Sequence, residues 1–123
     1  MKFKILIATA LLAAPAAASA MPVSTFLAKA EALEKKGALA LFSGDLKLLM
    51  NEIKANSVAL RAENIAAEKA RRPKAYCTPA GGAKLSDKDI MGAMQAVPAA
   101  QRATTSTKDA MRAYLARRYP CPR

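Results

Sequence analysis

Few side chains in this chain could do chemistry, and the missing types say as much as those present. Histidine and tryptophan are both absent. Without histidine, the commonest general base and the commonest zinc ligand are gone. No serine stands in a nucleophile elbow, and no glycine-rich loop matches a phosphate cradle. Carboxylate pairs occur at Glu31/Glu34 and Glu63/Glu68, and two carboxylates can in principle cleave a glycosidic bond. Glu31 and Glu34, however, interleave with Lys35 at helical spacing, the pattern of salt bridging on a helix surface. The expectation is a protein that is not an enzyme and holds no cofactor and no metal.

Two cysteines remain, Cys77 in Tyr76-Cys77-Thr78-Pro79 and Cys121 in Tyr119-Pro120-Cys121-Pro122. Two thiols alone do not make a structural zinc site, and these are too far apart for the short redox motif in which one resolves the other. An even count in an oxidising compartment favours a disulfide, with two free buried thiols as the competing reading. Closing a loop of this length is worth on the order of 4 kcal/mol in the chain-entropy model.

The compartment is argued from the first twenty residues. Lys2 and Lys4 form a basic start, Ile5 to Ala14 an apolar core, and Ala18-Ser19-Ala20 a small-x-small ending. That is the pattern of a secretory signal peptide cleaved after Ala20. The alternative is a membrane-anchoring helix, but the apolar run falls short of the roughly 20 residues a bilayer needs. No cysteine at the cleavage point suggests a lipoprotein. Processing leaves residues 21–123 as one small domain, expected in the periplasm without stable membrane insertion. Removing Lys2 and Lys4 lowers the net charge from +11 to +9.

The basic residues are dispersed, clustering only at Arg71-Arg72-Lys74 and Arg117-Arg118. A nucleic-acid binder calls for a basic stripe interleaved with stacking aromatics, so no nucleic-acid partner is expected. The charge reads first as a solvated surface. If it has a partner, acidic head groups, cell-wall polymers or an acidic protein fit best.

The elements that position these residues read as helices, since β-branched residues are sparse and no alternating run is long. Met21-Pro22-Val23 reads as a frayed lead-in to a helix over 24–36, capped by Ser24 and stopped by Gly37. Ala38 to Gly44 is open between a helical turn and an extended connector, with Leu39, Leu41 and Phe42 expected in the core. A longer helix begins near Asp45, with Leu46, Leu49, Met50, Ile53, Leu60 and Ala67 near one stripe. Asn56, Ser57 and Asn64 interrupt it and read as a solvated flank, a bend, wet contact or partner face being the alternatives. Arg72-Pro73 ends this helix.

Two shorter helices follow. Ser86 and Asp89 form a variant capping box, with Leu85 stapled to Ile90. Ile90, Met91, Met94 and Val97 make the apolar face, with core packing expected over an adaptable methionine surface. Ser106 and Asp109 start the last helix, whose stripe is Ala110, Met111, Tyr114 and Leu115. The fold class is therefore all-α, a small four- to five-helix domain stapled by one disulfide, with a helical hairpin bounded by 77–121.

The stretch from Tyr76 to Pro122 resembles the Rap1a/Tai family. It carries an aromatic-Cys-x-Pro start at Tyr76-Cys77-Thr78-Pro79, a helix ending near a proline, and a second helix closing on Ala113 to Pro122. The first half lacks the further cysteines many members carry, and Val97-Pro98 stands where a Tyr-Leu pair is the family pattern. The resemblance implies a small exported helical protein. It also implies the role of the best-understood members, periplasmic immunity proteins that act as dimers against peptidoglycan amidase effectors of type VI secretion. Only Cys77 and Cys121 carry over. On this reading the partner is a cell-wall amidase with an acidic surface, met by Arg71, Arg72 and Lys74, and a homodimer is possible. The second hypothesis, from a different class, is a periplasmic acid-stress chaperone or envelope-stability protein.

Overall fold

The computed structural model describes residues 20–123, which form four α-helices and no strand. The signal peptide expected over 1–20, with its expected cleavage after Ala20, lies outside the described residues, Ala20 excepted. Among the described residues no helix is long and apolar enough to cross a membrane. The helices are α1 (Val23–Lys36), α2 (Gly44–Lys69), α3 (Asp87–Gln95) and α4 (Thr107–Arg118), with 3-10 turns at Gly37–Phe42 and Ala99–Gln101.

The lead-in is not frayed. Pro22 pairs with Ser106 in an isolated antiparallel bridge, and Met21 accepts a hydrogen bond from the Thr107 N–H at 2.8 Å. Helix α1 starts at Val23, one residue before the expected cap, and no side chain caps it. Its orphan donors are satisfied by another segment instead: Val23 N–H donates to the Thr105 carbonyl and Ser24 N–H to that of Arg102, both at 2.9 Å. A Ser24 side-chain cap is unnecessary once a neighbouring loop takes those groups.

Short-range starts and stops follow the local chemistry. Ser43 accepts from Asp45 N–H to open α2. The predicted capping box of α3 is complete, with Ser86 and Asp89 bonded reciprocally. Ser106 opens α4 by accepting from Asp109 N–H, while the Asp109 carboxylate pairs with Arg112 rather than reaching back. Helix α2 ends before Pro73 acts. Arg71 takes a left-handed conformation (φ 53°), and the Arg72 N–H returns to the Ala67 carbonyl at 2.8 Å, a Schellman-type close.

One core joins all four helices: Val23, Phe26 and Leu33 of α1, Leu49 and Leu60 of α2, Met94 of α3, and Ala110, Met111 and Leu115 of α4, with Tyr76 and Val97 between. Met94 and Met111 are fully buried, as core packing requires. Leu39, Leu41 and Phe42 are not core; they stand 71%, 74% and 89% exposed. They lie on the 3-10 turn that joins α1 to α2, where only Ala40 packs against the core. Met50, expected on the buried stripe of α2, is also exposed. Cys77 and Cys121 are joined by a disulfide with their Cα atoms 4.8 Å apart. Beside it, Cys77 N–H donates to the Tyr119 carbonyl at 2.8 Å.

Candidate functional site

Among the described residues the packing pattern leaves a large opening. Both α1 and α4 pack on α2 and on α3, but α2 and α3 do not pack on each other. The space between them is an open groove of about 650 Å³. Phe26, Ala30 and Leu33 of α1 form its floor, Leu49 and Ile53 line the α2 side, and Ile90 and Met91 line the α3 side. Helical periodicity puts these residues on inward faces. The absence of an α2–α3 contact leaves part of that apolar surface unburied.

A narrower cleft of about 250 Å³ adjoins the groove and shares Ser57, Ala83 and Leu85 with it. Its charged lining is two cations, Arg61 and Lys74, against one carboxylate, Glu68, with Asn64 beside them, which makes it polar and weakly basic. Of the three basic residues singled out from sequence, Lys74 lines this cleft, while Arg71 and Arg72 stand exposed on the turn after α2. The Lys74 carbonyl lies 3.8 Å from Cys121 Sγ, so the link runs beside the disulfide. Apolar groove and polar cleft adjoin as one concave strip whose charged lining is mixed, Lys54, Arg61 and Lys74 standing against Glu34, Glu68 and Asp87.

One carboxylate of each acidic pair is held by basic neighbours. Glu31 pairs with Lys35 one turn on at 3.2 Å, on an exposed surface. Glu63 is bridged by Lys108 at 3.2 Å and Arg112 at 2.9 Å. Burial pushes the Glu63 carboxyl up, but hydrogen bonds from Arg112 and Lys108 outweigh it and hold the group below its ordinary value. Among the described residues no three metal-ligating side chains come together.

The polar residues that break the α2 stripe are structural rather than a solvated flank, Ser57 excepted. Asn56 is buried and donates from Nδ2 to the Thr107 hydroxyl at 2.8 Å. Asn64 donates to the Tyr76 carbonyl at 2.9 Å and accepts from Ala75 N–H, which fixes the chain leading to Cys77. Their partners lie 51 and 12 residues away, too far for local periodicity to reveal. Ser57 is exposed and bonds back to the Ile53 carbonyl. The signal for Asn56 was its position: a carboxamide at a core-facing register needs a buried partner.

Comparison with protein-family models, with curated protein sequences and with solved structures returned no match.

Proposed function

We propose that this protein is an exported binding module that recognises another protein through the α2–α3 groove and the basic cleft beside it. The observation that carries this reading is the groove itself. It is an open, largely apolar concavity of about 650 Å³, the kind of site that takes apolar side chains of a partner. The exposed Leu39, Leu41 and Phe42 on the α1–α2 turn add further unburied apolar surface. The resemblance of Tyr76–Pro122 to the Rap1a/Tai family supports a cell-wall amidase effector as the partner, occluded in the periplasm. A partner with an apolar projection flanked by charges of both signs would complement both parts of the strip.

A periplasmic chaperone is the second reading, favoured by the apolar surface already open on the folded chain. The two separate in one experiment: a cross-linked pull-down with the tagged mature chain from the envelope of its own host, beside Ile53→Glu and Lys74→Glu variants. Stoichiometric recovery of one cell-wall amidase, lost in both variants, is the expected result. A broad set of unrelated envelope proteins, with suppression of client aggregation at about pH 2 to 3, would replace it with the chaperone. Amidase recovery unchanged by both substitutions would remove the strip from the account.

A further inference from the structure

Glu52 projects from α2 towards the start of the chain, and its Oε1 accepts two hydrogen bonds. One comes from the main-chain N–H of Met21 at 2.6 Å, the other from the Thr107 hydroxyl at 2.8 Å. That hydroxyl in turn accepts from Asn56 Nδ2 at 2.8 Å. Thr107 is fully buried and Asn56 is 4% exposed, so the carboxylate is aimed by a relay that cannot readily reorient. Thr107 is also the first residue of α4, which places the carboxylate near the positive end of a helix. Met21 is held from its other side as well, its carbonyl accepting from Thr107 N–H at 2.8 Å.

A carboxyl group oriented by buried partners could bind a charged amine at Met21 more strongly than the single main-chain N–H it meets there. Met21 is also the residue that follows Ala18-Ser19-Ala20, the small-x-small ending of the leader. We propose that Glu52 is the receptor for the α-ammonium group created at Met21 when the leader is removed. The inference rests on cleavage after Ala20. Hydrolysis of the Ala20–Met21 bond leaves a carboxylate on the leader and an amine on Met21, which takes a proton near neutral pH. The existing hydrogen bond then becomes an ion pair with a charge-assisted donor at the same position. The site ties α1 to α2 and α4, so processing tightens the domain at the point where its chain begins.

Two measurements separate this from the processing reading. The intact mass of the chain recovered from its host identifies its first residue; a start other than Met21 overturns both. Chains beginning at Met21 with a free amine, at Met21 with an acetylated amine, and at Ala20 are then compared by urea unfolding, with Glu52 intact and as Glu52→Gln. With Glu52 intact, acetylation or the extra alanine raises the unfolding constant about tenfold, the scale of a charged hydrogen bond. In Glu52→Gln the same changes shift it less than twofold, and the difference is the coupling. Equal effects in both backgrounds overturn the proposal. So does the absence of any difference between free and acetylated amines in the native sequence, a comparison that stands even where Glu52→Gln does not fold.

Discussion

Asp89 shows how one side chain can serve two helices. Its carboxylate accepts from Ser86 N–H at 2.8 Å to cap α3, and from the Tyr114 hydroxyl of α4 at 2.6 Å. The hydrogen bond from Tyr114, with those from Ser86, holds its carboxyl down at about 2. The same bond pushes the Tyr114 hydroxyl up. An unfolded aspartate titrates near 3.9. A group depressed on folding contributes stability above its unfolded value and loses it as pH falls through its folded one. The α3–α4 link is thus complete above about pH 4 and weakens as pH falls towards 2. A carboxyl titration by NMR should place Asp89 near 2, and in Tyr114→Phe its midpoint should move up towards the ordinary range. An unmoved midpoint in that variant would show that Ser86 alone sets it. The same titration bears on the chaperone reading, because loosening α3 from α4 at low pH would widen the surface available to a client.

Helix boundaries here are set by whichever chemistry is nearest in space, and the end of α2 shows it. Arg71 adopts φ 53°, a conformation that crowds its Cβ against the following carbonyl. Arg71→Gly should therefore raise stability by about 0.5–1 kcal/mol, read as a higher urea midpoint with an unchanged slope. A drop would mean that the Arg71 side chain makes a compensating contact. This position also explains why sequence reading worked for some elements and not others. Ser86/Asp89 and Ser106 were legible because a cap and its donor lie within three residues. Proline at 73 looked like the stop, whereas the chain had already turned left-handed two residues earlier, a choice that sequence favours only at glycine or asparagine. Val23 looked like a loose end because the carbonyls of Arg102 and Thr105 that fix it come from the far end of the chain. Leu39, Leu41 and Phe42 looked like core because apolarity reports a tendency to be buried and not the presence of an interior to reach. The groove was invisible for a related reason: its residues fit an ordinary helix face, and only the missing α2–α3 contact leaves them open.

At the scale of the whole molecule, the disulfide divides the labour between the two halves of the chain. The bridge spans 44 residues and encloses α3 and α4, while α1 and α2 lie outside it. Inside the loop, the helices are short, and α3 has only nine residues, too few to be stable without tertiary contacts. They reach the core by packing on α1 and on each other, and α4 also packs on α2. Restricting the unfolded chain by a loop of this length is worth about 4 kcal/mol in the entropic model, against a total of about 5–15 kcal/mol for a typical domain. The net positive charge opposes compaction, and five ion pairs among the described residues offset it only in part, since all of them touch solvent. Cys77→Ala with Cys121→Ala should therefore lower Tm by about 15–30 °C, the equivalent of 4 kcal/mol in a domain near this size. High salt, which screens repulsion among the basic residues, should raise both Tm values and leave the loss about the same. Helical circular dichroism at 10 °C should persist, because the core residues Val23, Phe26, Leu49 and Leu60 lie outside the loop and can still receive Met94 and Met111. A double variant unfolded even at 10 °C would mean that the staple supplies nearly all the net stability. A shift of only a few degrees would mean that the main-chain bond from Cys77 to Tyr119, with the Asn64 clamp on Tyr76, already holds the two ends together without it.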